Sequence, residues 1–301
     1  MVVPLLQSLC LDKAYTSLLG NNFEQFNSIA KEYKKLPSDL LCKFVLKVLM
    51  DKTKPRVELL QIFGNTSLTQ INLKKYKQLT NEQLKSISLR FPLLQSIKTA
   101  SDLISSFDGC SFPHLQFFFF MRSAIPVKGL QQLLDLAPKL KELKFLKGKS
   151  IDFEGCAFDN LEKLSVSGCD DTVDLRIASA PKLKELNIIY CKTTPLTVSR
   201  LDNVEKIDLS YCQSIDSDNM VLLSKSAPNL RIFDIRWTKI TGFIGCSFEK
   251  LESINLWKCS DLVDDCFKHL LIAAPNLKEI RGVAMHEKPD SISSLFGKLK
   301  I

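Results

Sequence analysis

The sequence predicts an α/β solenoid with a parallel sheet on the concave face and helices and extended segments on the convex face, preceded by a helical N-terminal block. Three observations predict it. A six-residue pattern of apolar residues at its first, fourth and sixth positions recurs ten times. The copies open at Leu68, Leu94, Leu115, Leu140, Leu161, Leu183, Val204, Leu230, Leu251 and Leu277, at intervals of 26, 21, 25, 21, 22, 21, 26, 21 and 26 residues. The first 62 residues lack the pattern and show helical periodicity instead.

The clearest copies are Leu140-Lys-Glu-Leu143-Lys-Phe145, Leu161-Glu-Lys-Leu164-Ser-Val166, Leu183-Lys-Glu-Leu186-Asn-Ile188 and Leu251-Glu-Ser-Ile254-Asn-Leu256. A cysteine stands at the ninth position of several units: Cys169, Cys191, Cys212 and Cys259. Over residues 66–301 the chain resembles the cysteine-containing class of leucine-rich repeats. The resemblance implies a right-handed, curved leucine-rich-repeat solenoid over residues 63–301, of about ten repeats. Each unit gives one strand, with its first, fourth and sixth side chains stacked inward on those of the next unit. The ninth residue sits under the turn, where a small apolar thiol with a weak S–H donor fits.

The longer units carry a helix after that turn: 80–91, 127–137, 217–227 and 264–274. Each stops before a proline (Pro92, Pro138, Pro228 and Pro275), which cannot continue a helix. Thr80, Ser217 and Asp264 are the expected N-caps. The shorter units lack room for a helix and are expected to cross in extended form. Three of them share Gly-Cys-x-Phe: Gly109 to Phe112, Gly155 to Phe158 and Gly245 to Phe248.

Residues 1–62 read as helices over 4–19, 23–33 and 40–50. Leu6, Cys10 and Ala14 fall four apart, on one helix face. Leu36-Pro37 is followed by Leu40 and Phe44. In this order the two spacings resemble the VHL box, although Leu5 stands where that family prefers a small residue. A VHL box ahead of leucine-rich repeats is the layout of substrate receptors of cullin-2 ubiquitin ligases of the ZYG-11 and ZER-1 type. The resemblance implies elongin C, of the elongin B–elongin C pair, at Leu6, Cys10 and Ala14. It implies cullin 2 at Leu36, Pro37, Leu40 and Phe44, and a protein substrate on the repeats. Two alternatives stand beside it. Leu36-Pro37-Ser38-Asp39-Leu40-Leu41 also resembles the opening of an F-box, which implies Skp1 and cullin 1. The block also serves as the cap that a solenoid needs over its first apolar edge.

The third, fifth, seventh and eighth positions of each unit face the concave side. Most are polar: Gln70, Asn72, Lys74, Glu142, Lys144, Lys163, Ser165, Asn187, Asp208, Asp234, Arg236 and Asn255. The exceptions are the candidate substrate-binding residues: Phe117, Phe119, Met121, Leu146, Tyr190, Tyr211, Trp237 and Trp257. Clustered aromatics on a surface mark binding sites.

Composition excludes several classes. Hydrophobic residues at 45% and charged residues at 25% describe an ordinary globular chain rather than a disordered one. No apolar run reaches the roughly 20 residues of a membrane helix. MVVPLLQSLCLDK has no basic stretch ahead of its apolar run, so no secretory signal is expected. The expected setting is cytoplasmic or nuclear, with the ten cysteines as free thiols. The net charge of +8 is spread as +3 over residues 1–66 and +5 over the rest, with no basic block, so no nucleic acid is expected as partner. His114, His269 and His286 have no partner pattern, and Gly148-Lys149-Ser150 lacks the first glycine of a phosphate loop because Leu143 stands there. No C-x-x-C pair offers a metal site. The expectation is a protein-interaction module with no catalytic residue, metal or cofactor, acting as the substrate-recognition subunit of a cullin-RING E3 ubiquitin ligase or as a capped repeat scaffold.

Overall fold

The structure is a computed structural model that describes residues 68–149, 151–169, 172–193, 201–263 and 265–282. The proposed adaptor motifs at Leu6, Cys10, Ala14, Leu36, Pro37, Leu40 and Phe44 lie outside the described residues.

In chain order the strands are β1 (Gln70–Leu73), β2 (Ser96–Thr99), β3 (Phe117–Met121), β4 (Glu142–Leu146), β5 (Ile151–Asp152), β6 (Lys163–Ser167), β7 (Thr172–Asp174), β8 (Glu185–Ile189), β9 (Lys192–Thr193), β10 (Lys206–Asp208), β11 (Ile232–Asp234), β12 (Ser253–Asn255) and β13 (Glu279–Arg281). Ten of them form one sheet in the order β1-β2-β3-β4-β6-β8-β10-β11-β12-β13. Every pairing is parallel and joins equal positions of adjacent units, as in Phe118 with Leu143, Leu164 with Leu186 and Ile207 with Phe233. The fold is the leucine-rich-repeat solenoid expected from the pattern. Strands pack about 4.8 Å apart, whereas a helix needs about 10–12 Å. The helical side is therefore the longer one, and the sheet lines the inside of the curve.

The first, fourth and sixth positions build the core. Leu140, Leu143 and Phe145 are buried, as are Leu183, Leu186 and Ile188 and the equivalents in other units. The early repeats are filled by phenylalanine. Phe118 and Phe120 stack at 4.1 Å between centroids, and Phe120 stacks on Phe145 of the next unit at 5.2 Å. Phe107 meets Phe118 and Phe120 edge-on at 6.0 and 6.2 Å. Such pairs add to their burial through the ring quadrupoles.

Two sets of hydrogen bonds tie one unit to the next. Beneath the turn, the Cys212 thiol donates to the Ile188 carbonyl at 3.0 Å, and Cys259 donates to Ile235 at 3.1 Å. Each acceptor is the sixth residue of the preceding unit. Thr238 stands in place of cysteine and donates to Ile235 within its own unit at 2.7 Å. On the other edge, an asparagine just before the repeat leucine donates to a carbonyl of the preceding unit. Asn160 reaches Pro138 at 2.9 Å, Asn203 reaches Pro181 at 2.7 Å and Asn276 reaches Glu249 at 2.7 Å. These bonds satisfy backbone groups that irregular segments leave unpaired.

On the convex side the helices are Asn81–Arg90, Val127–Leu136, Ser217–Ser226 and Cys266–Ala273. Thr80 caps the first in a capping box with Gln83. The cap of the third helix is Asp216 rather than Ser217. The Asp216 carboxylate accepts from the Asn219 backbone at 3.0 Å, which makes Ser217 the first helical residue. Residue 264 lies outside the described residues, and the neighbouring Asp265 occupies the last cap, its side chain bonded to Lys268 rather than to the helix backbone. Three consecutive short units cross in extended form: β5, β7 and β9 make a second parallel sheet. The Gly-Cys-x-Phe motif turns on Gly109, Gly155 and Gly245, each at positive φ, and plants Phe112, Phe158 and Phe248 in the core.

Phe120 touches aromatic neighbours above, beside and beneath it. Phe120→Ala is expected to destabilise the fold by about 3–5 kcal/mol, read as a lower urea midpoint by circular dichroism.

Candidate binding face

Along one edge of the sheet, the second position alternates in charge from unit to unit. Lys141, Glu162, Lys184, Glu205, Arg231, Glu252 and Lys278 follow one another at the second position of seven consecutive units. Lys141 pairs with Glu162 at 3.0 Å, Arg231 with Glu252 at 2.6 Å and Lys278 with Glu252 at 2.8 Å. At the third position Lys163 pairs with Glu185 at 2.9 Å. Lys141 holds the Glu162 carboxyl below its usual value, and Lys278 with Arg231 does the same for Glu252. Exposed pairs like these contribute little stability. Their effect is that Lys141, Lys163, Arg231 and Lys278 find their carboxylates within the edge itself.

The opposite edge differs. The eighth residue of seven consecutive units adopts positive φ: Arg122, Lys147, Gly168, Tyr190, Tyr211, Trp237 and Lys258. This left-handed conformation costs a side-chain-bearing residue about 1–2 kcal/mol, and Gly168 shows that glycine fits the position. Three successive units nevertheless place tyrosine or tryptophan there. The rings form a ladder. Tyr190 lies 5.8 Å from Tyr211, Tyr211 stacks on Trp237 at 5.7 Å, and Trp257 meets Trp237 edge-on at 5.7 Å. Tyr190 is 67% exposed, Trp257 45% and Trp237 37%. Beside the ladder runs a groove of about 550 Å³ lined by Cys169, Tyr190, Cys191, Lys192, Tyr211, Gln213 and Trp237. Aromatics at strained backbone positions that fill no core are spent on the surface they present.

The thiols beneath the groove are not poised nucleophiles. Burial pushes Cys212 up to about 12. Cys191 is lowered, chiefly by a hydrogen bond with Cys169, but only 4% of it is exposed. Farther out, Cys156 is raised to about 11 by burial.

Asp208 and Asp234 face each other on neighbouring strands of the concave side. Burial pushes the Asp234 carboxyl up and the Asp208 charge adds to it, against hydrogen bonds from Arg236 and Asn255 that pull it down. Asn255 donates to Asp234 at 3.1 Å, and Arg236 pairs with it at 3.1 Å.

At the other end of the face, β3 keeps the register read from the sequence: Phe118 and Phe120 point inward, and Phe117, Phe119 and Met121 point outward. Phe117, Met121 and Leu146 are half-buried, with Met121 opposite Leu146. Phe119 is only 7% exposed and lies under Lys74. The structure therefore brings Tyr190, Tyr211, Trp237 and Trp257 together and sets Phe117, Met121 and Leu146 apart from them. The left-handed eighth position and the alternating edge were not read from the sequence. The alternation is visible there once the units are aligned; the φ angle leaves a signal only at Gly168.

Among the described residues, no cluster of histidine, cysteine or acidic side chains fits a metal ion, and no helix is long and apolar enough to cross a membrane.

No family model matches the chain. No curated protein matches it either. Among solved structures, the chain is similar to one from the TLR13–ssRNA13 complex, with 16% identity, a TM-score of 0.56, and 75% of this chain and 34% of that chain covered. It thus spans about a third of that neighbour. It is also similar to a chain from the yeast Rad7–Elc1 complex, at 16% identity, a TM-score of 0.44, and 98% and 97% coverage. Listeria monocytogenes InlP matches at 16% identity, a TM-score of 0.45, and 72% and 62% coverage. The fold and its face define a leucine-rich-repeat protein.

Two outcomes follow from the strain and the charge. Tyr190→Gly relieves a left-handed residue and gives up one ring contact, terms of similar size near 1 kcal/mol. Its urea midpoint is expected to match or exceed that of the parent; a marked fall would make the ring structural. For Asp234, a raised value in the fold means that ionisation is disfavoured there. That penalty is absent at low pH and complete once pH exceeds the folded value. Asp234→Asn should therefore stabilise the protein at neutral pH, and the gain should vanish as pH falls through the carboxylate range in denaturation series.

Proposed function

We propose that this chain is a protein-interaction receptor that captures a protein substrate on its concave face. The ladder from Tyr190 to Trp257 is the observation that carries the reading: contacting, largely open aromatic rings held on a sheet edge beside a groove. Tryptophan and tyrosine dominate binding hot spots because they bury large areas at small entropic cost. The chain supplies position and no chemistry of its own.

The finer reading is that it serves as substrate receptor of a cullin ubiquitin ligase in the cytoplasm or nucleus. It rests on the VHL-box resemblance of residues 1–62, with Leu6, Cys10 and Ala14 as the elongin C anchors and Leu36, Pro37, Leu40 and Phe44 toward cullin 2. Anchors one helical turn apart suit docking of a helix in an apolar groove. The mechanism is proximity: the repeats hold a substrate beside a ligase whose catalytic groups belong to other subunits.

The test is co-purification of the full chain with elongin B–elongin C and, separately, with Skp1. Wild type should retain elongin C, and Leu6→Ser/Cys10→Ser should lose it without loss of fold. Retention of Skp1 instead, abolished by Leu36→Ala/Pro37→Ala, would give the F-box reading. Binding of neither by a folded chain would refute the ligase role. Both tryptophans of the sequence lie in the ladder, so a substrate seated there should shift the intrinsic fluorescence, and Tyr211→Ala/Trp237→Ala should abolish its capture.

A further inference from the structure

We infer that the first four repeats carry a second binding surface, for an acidic segment of a partner protein that also bears apolar side chains. The inference rests on the reading that the concave face binds protein, but neither on the ladder nor on the ligase role. Over these repeats the outward third, fifth, seventh and eighth positions hold Lys74, Lys75, Lys98, Arg122, Lys144 and Lys147. Glu142 is the one acidic residue at those positions. In the chain these cations are scattered over four units. Parallel in-register pairing sets successive strands about 4.8 Å apart, with Lys98 and Lys144 on them and Lys74, Lys75, Arg122 and Lys147 just past their C-terminal ends.

Their surroundings differ from those of the paired cations on the opposite edge, Lys141, Lys163, Arg231 and Lys278. Each of those four meets a carboxylate within 3.0 Å. Among the described residues, none of these six forms an ion pair. Two lie over rings instead: Lys74 Nζ is 5.6 Å from the centre of Phe119, and Lys98 Nζ is 5.6 Å from that of Phe117. An unpaired basic surface attracts an anionic partner and speeds its encounter.

The apolar groups decide which anion. Met121 and Leu146 lie side by side among the cations, half-buried. A phosphate backbone offers them nothing, whereas leucine or phenylalanine of a peptide would pack there. Bases need open rings to stack on. Phe119 is buried, and Phe117 is half-buried with Lys98 over it. Four strands span about 15 Å, which matches about five residues of extended chain.

The probe is a fluorescent peptide of about 12 residues in which aspartate and glutamate alternate with leucine and phenylalanine. Its amide counterpart, with asparagine and glutamine, and an oligouridylate of similar length are the comparisons. Anisotropy with the full chain should show the acidic peptide bound at least about tenfold more tightly than the amide peptide, with salt weakening it. Lys98→Glu/Lys144→Glu should reduce affinity by more than about tenfold, and Lys98→Gln/Lys144→Gln by a smaller factor in the same direction. The Gln pair decides should charge reversal unfold the chain. Lys225→Glu, on a convex helix, and Tyr211→Ala/Trp237→Ala should leave binding unchanged. Equal binding of the amide peptide, no binding, indifference to the Lys98 and Lys144 changes, or loss in the ladder variant would each overturn the inference. Tighter binding of the oligouridylate would overturn it in favour of nucleic acid. Failure of the elongin experiment leaves every one of these readouts intact.

Discussion

Parallel, in-register pairing of successive units is the constraint from which the rest of the molecule follows. It places each residue about 4.8 Å from its counterpart in the next unit. Whatever residue type recurs at one position therefore becomes a continuous line through the protein. Aliphatic residues at the first and fourth positions make the core, and phenylalanines there and at the sixth position stack from Phe118 through Phe120 to Phe145. Cysteines at the ninth position donate across the seam beneath the turn, and asparagines before the repeat leucine donate across it on the other edge. Each unit contacts only its neighbours, so no unit buries its apolar side alone.

The same constraint organises the concave surface. Alternating charge at the second position becomes ion pairs between neighbouring units: Lys141 meets Glu162, and Arg231 and Lys278 meet Glu252 from either side. Aromatics at the eighth position become a ladder of contacting rings. These residues stand where the turn imposes positive φ, a conformation in which a bulky side chain is costly. A position where glycine would be easiest but large rings recur is one where folding alone does not explain the residues. The two carboxylates Asp208 and Asp234 sit beside the ladder under a similar tension, brought together by register and raised by burial at Asp234.

The surface is thereby divided along its length. Its early repeats carry unpaired cations with phenylalanine and methionine between them, its later repeats carry open aromatic rings, and ion pairs run along the opposite edge from Lys141 to Lys278. A partner that engages both ends has to present acidic and apolar groups to one and a groove-filling segment to the other. Neighbouring regions on one rigid sheet can act together without any change of shape, since the second contact is then made at a high effective concentration.

The repeat length, the register, the inward residues and the position of the cysteines were all legible in the amino-acid order. They are set by local periodicity, and a one-residue slip would expose every leucine of a unit. The four helices and their proline stops were legible for the same reason. The cap at Asp216 was not, because adjacent Asp216 and Ser217 both have capping side chains and only the helix direction selects between them. Tyr190, Tyr211, Trp237 and Trp257 were legible as candidates, but their assembly into one ladder and the burial of Phe119 were not. Those depend on the turn geometry and on a lysine from two units earlier in the chain. The net charge concealed the basic surface because the cations are spread through the sequence and cluster only once the strands align. Thus the sequence by itself determined which residues face inward and how often, through periodicity acting within a few residues. The tertiary structure alone decided which outward residues meet, because their proximity is lateral, between units more than twenty residues apart.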